Sequence, residues 1–282
     1  MKKILLFIIS FALLFTFTSC MGSNRKTYET YLYGKYPQTK IVNKRIIEEL
    51  DKLLDKDKNE DGYFEFEGKE YAKIWANTRQ NNYPAEDGSA ILNGKYYYFR
   101  VDKISWRILR TEGNYKYLIS DFILDACDYV NDLDSNLYSY DMSNIRHFLI
   151  TTFYDKAFKR EENKPLNTEI EIDNGSNGKV KINDSVWIPS VYDLNDKNGF
   201  YSIDDKYAFS TDYATSQGVM LYIESPNAYF YRCSPYATST TSPNYTNYIY
   251  YIDFYGQNAL SRDSNILVKI GVRPCIRIET KN

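Results

Sequence analysis

Few residues in this chain of 282 carry the usual catalytic or metal-binding chemistry. His147 is the single histidine, so sites built from several imidazoles are excluded by counting, and a Ser-His-Asp arrangement would have to use that one ring as its base. No serine stands in a Gly-x-Ser-x-Gly elbow, and no residue is assigned a catalytic role. Asp57, Asn59, Asp61 and Gly62 imitate positions 1, 3, 5 and 6 of a calcium loop. Position 12 is Gly68 where a bidentate glutamate is required, so a charged turn is the better reading. Neither a metal nor a cofactor is expected.

The four cysteines divide by position. Met1-Lys2-Lys3 is a short positive segment, and 4–17 is an almost unbroken apolar run. A spanning helix needs about 20 such residues, so this run reads as a signal peptide rather than an anchor. It leads into Thr18-Ser19-Cys20, which resembles a bacterial lipobox, with Phe17 looser than the usual leucine. On this reading 1–19 is a lipoprotein signal peptide, Cys20 is lipidated, and 20–27 is a solvated tether. The alternative is an ordinary signal peptide cleaved near Ser19. The expectation is an exported protein held to a bacterial membrane by its lipid. Met21 rather than aspartate favours the outer membrane or cell surface, by similarity to sorting rules in some bacteria. Export leaves Cys127, Cys233 and Cys275, an odd number where disulfides are permitted. Two readings stand: a Cys233 to Cys275 pair, or three thiols.

These residues must be positioned by the elements around them. Composition allows a large core and one or two domains, since 43% of residues are apolar. Lysine and arginine number 35 against 37 acids, a balance that argues against a nucleic-acid partner. Residues 43–54 place Ile46, Ile47, Leu50, Leu53 and Leu54 on one stripe behind an Asn43 N-cap, which predicts a helix. Residues 63–66 and 69–74 alternate around Glu67-Gly68 as a hairpin, and 77–94 reads as a loop. Three β-prone runs at 95–101, 104–110 and 115–120 predict an antiparallel meander. Ile145, Phe148, Leu149 and Phe153, continuing toward Phe158, predict a second amphipathic helix, with His147 off its stripe and facing solvent. Residues 161–185 read as a long polar connection, and Ser190 with Asp193 as a capping box before a short helix. Strands at 219–223, 228–232, 248–254 and 273–278 close the chain. The pattern predicts one α+β domain over 28–282, with 28–94 readable as an N-terminal helix and hairpin extension.

The segment 229–255 is the most suggestive surface. Tyr229, Tyr231, Tyr236, Tyr245 and Tyr248, with Arg232, accompany a Ser/Thr/Pro/Asn loop over 234–247. Tyrosine offers large contact area at low entropic cost and is enriched at recognition surfaces. The plainer reading is that alternate tyrosines fill a sheet face.

Several motifs resemble, in order, an exported bacterial family catalogued as domain of unknown function 6273. Tyr33-Gly34-Lys35-Tyr36-Pro37-Gln38 is similar to its G-x-Y-P-Q start, and Ile104-Ser105-Trp106-Arg107-Ile108-Leu109 to its I-x-W-R-V-L strand. Leu118-Ile119-Ser120 through Leu124-Asp125-Ala126 resembles L-I-S-x-x-x-L-D-A, and Ser143-Asn144-Ile145-Arg146 resembles S-x-I-R. Val186-Trp187-Ile188-Pro189-Ser190 stands for V-F-L-L-S, and Gly271-Val272-Arg273-Pro274 matches G-V-R-P. Tyr231-Arg232-Cys233-Ser234-Pro235 departs from W-L-R-S-P by an altered residue and an inserted cysteine.

The resemblance spans roughly 33–278. It implies a C-type-lectin-like α+β fold, related to the formylglycine-generating enzymes, with an antiparallel sheet and two or three amphipathic helices. Ser225-Pro226-Asn227 and Ser242-Pro243-Asn244 lack the acidic or amide residue that a calcium lectin places before proline. Cys233 and Cys275 are far apart in sequence, unlike the reactive pair of the oxidase. Arg107, Arg146, Arg232 and Arg273 fall in the motifs, and their expected work is to satisfy carboxylates and carbonyls of their own fold. The expected function is a non-enzymatic binding or structural module of the cell envelope, taking a glycan or an envelope protein. The alternative is an exported enzyme, or a degenerate one, of the formylglycine-generating group.

Overall fold

A computed structural model describes residues 28–130, 139–173, 178–228, 231–245, 247–262 and 264–280. The expected signal segment and tether, Cys20 and Tyr229 lie outside these residues. Mostly antiparallel sheets dominate, with strand over 40% and helix over 17%, and the helices are short.

The first sheet is organised by one strand. Residues 96–112 contain no glycine or proline and alternate buried Tyr98, Val101, Ile104 and Trp106 with more open positions. They form a single strand β6 (Tyr96–Glu112), not the two shorter runs expected, because Asp102-Lys103 supplies no turn geometry. The first strand, β1 (Thr30–Lys40), pairs antiparallel along β6 from Arg107 to Phe99. The remaining edge of β6 is shared. β3 (Lys69–Trp75) pairs with its first half, and β7 (Tyr115–Ser120) pairs with its second half. β2 (Phe64–Phe66) joins β3 through the expected hairpin, where Glu67 and Gly68 both take positive φ, as a tight two-residue turn requires. β18 (Cys275–Glu279) and the short β11 (Val186–Trp187) extend the sheet beyond β7. Residues 28–94 therefore contribute three strands to the same sheet as β18.

Helix α1 (Lys44–Leu50) starts as read, with the Asn43 side chain accepting from the Ile46 amide at 3.3 Å. It stops four residues early. A 3-10 turn (Asp55–Asp57) follows, its Asp57 carboxylate accepting from the Leu54 amide at 2.7 Å and leaving Leu54 exposed. The 77–94 segment holds a small hairpin, β4 (Asn82–Pro84) with β5 (Ala90–Leu92), around buried Tyr83 and Ile91.

The second sheet is assembled from the C-terminal half. Its order is β16 (Asn258–Ser261), β15 (Ile249–Ile252), β14 (Tyr236–Thr241), β17 (Ile270–Val272) and β8 (Asp125–Cys127). Gly271 permits the close β14 to β17 approach, since a Cβ there would meet the Pro235 carbonyl oxygen at 2.6 Å. Between the sheets lies the second amphipathic helix, 144–158. It comprises α2 (Asn144–Phe148), a π turn (Leu149–Phe153) and α3 (Tyr154–Phe158). Its Ile145, Leu149, Phe153 and Phe158 stripe is buried and His147 is exposed, as the spacing predicts.

Phe153 packs on Tyr36 at 4.9 Å between ring centres, and Tyr36 meets Tyr213 edge-on at 5.5 Å. The Tyr36 hydroxyl donates to the Asp125 carboxylate at 2.5 Å, tying the first strand to β8 inside one core. Tyr213 belongs to α4 (Asp212–Ser216), capped by the Thr211 hydroxyl.

Residues 161–185 are not a plain connection. Thr168, Ile170 and Ile172 alternate with charged residues, as do Val180 and Ile182, and they pair as a hairpin of β9 (Thr168–Asp173) with β10 (Lys179–Asp184). Ser190 and Asp193 do form the reciprocal capping bonds, but the chain continues as a turn. Residues 219–223, 228, 231 and 232 are not in strands. β12 (Ala208–Phe209) instead pairs with β13 (Cys233–Ser234). Among the described residues, no helix is long and apolar enough to cross a membrane.

Candidate functional site

The expected Tyr-rich surface does not assemble. Its 234–247 loop contains β14, and every residue from Tyr236 to Thr241 is buried. Thr and Ser read as polar, yet here the three threonine hydroxyls find local partners: Thr238 donates to the Tyr250 carbonyl, Thr241 to the Asp173 carbonyl, and Thr240 accepts from the Val191 amide. Tyr236 is fully enclosed, so its role as a surface contact is corrected to that of a core residue. Arg232 is 7% exposed and is likewise withdrawn from any ligand surface. Tyr231 and Tyr248 are half-buried, and Tyr245, at 58% exposure, packs on Tyr248 at 5.3 Å. Tyr245 and Tyr248 therefore remain near the surface as a pair separated from Tyr236.

The motif arginines are satisfied inside the fold. Arg232 adopts positive φ and donates to Asp212 at 2.8 Å and to the Pro84 carbonyl at 3.2 Å. Asp212 also accepts the Glu86 and Lys40 amides, so this one ion pair joins β1, the 82–92 hairpin and α4. Arg273 donates to the Ser120 and Lys206 carbonyls and to the Tyr236 hydroxyl. Arg107 lies between the Tyr28 and Phe200 rings, 3.3 and 4.2 Å from their centres, and donates to the Asp205 and Gly199 carbonyls. Burial pulls the Arg107 pKa down. Arg146 forks onto Asp184 with contacts of 2.8 to 3.2 Å.

The cysteines also differ from one expectation. Cys233 and Cys275 lie on strands of separate sheets, so the disulfide between them is not formed, and Cys127 forms no disulfide either. Burial raises the Cys275 thiol well above its ordinary value, with Asp193 adding to the effect, and the same cause pushes Cys127 up to about 12. A thiol so raised is a poor nucleophile at neutral pH. Among the described residues, no three His, Cys, Asp or Glu side chains group as metal ligands.

A concavity lies elsewhere. A cleft of about 380 Å³ runs between the outer face of the first sheet and the β9 to β10 hairpin, closed at one end by the 187–193 turn. That volume falls within the ~300–1,000 Å³ of ligand clefts. Its floor is set by register. Arg277 faces Tyr117 across β18 and β7, and Arg110 faces Tyr117 across β6 and β7. The three side chains form a row, with the Arg110 guanidinium 3.6 Å and that of Arg277 5.8 Å from the Tyr117 ring centre. Trp187 stands opposite Cys275 at the closed end, and Tyr192, 61% exposed, stands at the rim.

Most charges around the cleft are matched. Arg110 pairs with Glu112 at 2.7 Å, Lys179 with Glu171 at 2.6 Å and Lys181 with Glu169 at 2.8 Å. Asp193 accepts the Ser190 amide and hydroxyl, both at 2.8 Å. Two groups stand apart. The Arg277 Nε is enclosed without a hydrogen-bond partner, and Asp173, whose carboxyl is pushed up by burial, has no ion pair among the described residues. This site was missed because its residues are spread over four segments, and only the strand register brings them together. The one signal available was the alternation at 168–172 and 180–182, which marks a hairpin.

No curated protein and no solved structure matches this sequence. The motifs at 33–38 and 104–109 precede the region that does match a family, which takes in β7 through β18. The profile of the family described as domain of unknown function (DUF6273) matches residues 112–280, more than half of the chain, and the chain belongs to that family.

Proposed function

We propose that this protein is an exported lipoprotein of the bacterial cell envelope, anchored through Cys20, whose folded domain is a non-enzymatic binding module of C-type-lectin-like character. The observation that carries the binding role is the cleft between the first sheet and the β9 to β10 hairpin, with its Arg110, Tyr117 and Arg277 floor. Aromatic faces beside a few fixed polar groups are what small-ligand sites use for affinity and orientation. The envelope assignment rests on the short apolar leader and Thr18-Ser19-Cys20. The ligand class is a glycan or peptide component of the envelope.

Two measurements test this reading. Cells fed radiolabelled palmitate should label the wild type and not Cys20→Ser, and equal label in both would sink the lipoprotein assignment. The purified full chain should retain components from a panel of cell-wall oligosaccharides and peptides. Retention should fall in Tyr192→Ala at the rim and in Arg110→Ala on the floor, whose side chain stays 41% exposed. Retention indifferent to both changes would remove the cleft as the site.

A further inference from the structure

The cleft holds two charges with no salt bridge among the described residues, one on its floor and one on the hairpin wall, and their chemistry narrows the ligand. Arg277 lies on the floor with its guanidinium near the Tyr115 and Tyr117 rings, 5.0 and 5.8 Å from their centres. Among the described residues it forms no salt bridge, Glu112 acting on it only at longer range, and its enclosed Nε has no acceptor. An enclosed donor without a partner is costly, so a ligand that brings an acceptor to this guanidinium gains more than one that brings it to a solvated cation. On the hairpin, Glu169 and Glu171 are each held by a lysine, which leaves Asp173 as the wall acid with no salt bridge among the described residues; Lys179, its cross-strand partner, is engaged by Glu171 and acts on it only at longer range. Ring stacking holds the Arg277 fork in place while leaving its charge unneutralised.

We propose that the cleft takes a short peptide by its two ends, the terminal carboxylate on Arg277 and the ammonium on Asp173. A neutral sugar would leave both charges unanswered, and an acidic sugar would answer Arg277 alone. This inference rests on the cleft being the binding site, and it adds the ligand class.

The test uses the immobilised full chain and three probes: a random tripeptide pool, the same pool with C-terminal amides, and the same pool N-acetylated. The free pool should be retained about tenfold better than either blocked pool, the loss expected for one charge-assisted contact. In Arg277→Gln the amide penalty should vanish while the acetyl penalty stays, and Asp173→Asn should do the reverse. The wild-type ranking of the three pools stands whether or not the variants fold. Equal retention of all three pools, lowered in each by Tyr192→Ala, would overturn the peptide-end inference and leave the cleft reading intact. Retention of acidic sugars but of no peptide pool would also overturn it. Retention of every pool untouched by Tyr192→Ala would overturn both.

Discussion

Arg107 and Arg110 stand three residues apart on β6 and have opposite fates. Arg107 is 2% exposed, wedged between two rings, with its donors spent on backbone carbonyls of the 199–205 segment. Arg110 lies past an irregularity in the β6 to β7 register, on the outer face, over Tyr117 and paired only with Glu112. The same contrast separates Arg232 and Arg273 inside from Arg277 outside. An arginine whose donors all meet fixed acceptors belongs to the scaffold, whereas one held by ring faces keeps its charge available. Motif membership marks the first kind: Arg107, Arg232 and Arg273 lie in the family motifs and Arg110 and Arg277 do not.

The sharpest way to break this contrast is to remove an inner arginine. Arg232→Ala leaves Asp212 buried without its cation, and a broken buried pair costs about 3–5 kcal/mol. Urea unfolding should show a loss of that size, and a loss below about 1 kcal/mol would place Arg232 with the outer set. Gly271→Ala should follow at about 1–3 kcal/mol, because the new Cβ meets the Pro235 carbonyl oxygen at 2.6 Å and the Ile123 side chain at 2.9 Å. An unchanged unfolding midpoint would mean that β14 and β17 can separate freely.

Asp125 gives a pH test of the same interior. Burial raises its pKa in the folded protein, more than the Tyr36 hydroxyl and the Ala126 amide lower it. The folded state therefore favours the protonated carboxyl. Its stabilising contribution is present below the ordinary carboxylate range and is lost as pH rises through the raised folded value. The stability of wild type relative to Asp125→Asn should accordingly improve as pH falls, read as the difference between urea midpoints across pH 4 to 8 (about the range where such a group titrates). A difference that moves the other way, or is flat, would contradict the burial account. The smallest effect belongs to the outer row. Arg277→Gln should change stability by no more than about 1 kcal/mol, because it removes ring contacts and an enclosed unpartnered donor rather than a salt bridge. A cost equal to that of Arg232→Ala would erase the distinction between the two sets.

Much of the fold was legible before any coordinates. The Asn43 cap, the Glu67-Gly68 turn and the 145–158 stripe all come from local rules that depend on neighbours within a turn or two. The misreadings share one cause. Residues 236–241 look like a loop because hydroxyls are counted as polar, and a β-branched Thr/Ser run becomes an interior strand once surrounding carbonyls and amides take up those hydroxyls. The β9 to β10 hairpin was hidden by its acids and lysines, whose cross-strand pairing is invisible until the register is known.

By itself, the sequence carried the short apolar run before Cys20, the exposed place of the lone histidine, and motif arginines destined for the interior. Those follow from composition and from spacings of a few residues. Only the tertiary structure decided that Tyr236 is core, that Cys233 and Cys275 stay apart, and that Arg110, Tyr117 and Arg277 form one row in a cleft beside the β9 to β10 hairpin. Each of these depends on which strand lies beside which. Strand neighbours are chosen by burial summed over the whole sheet, and shifting the register by one residue would turn that row to the opposite face.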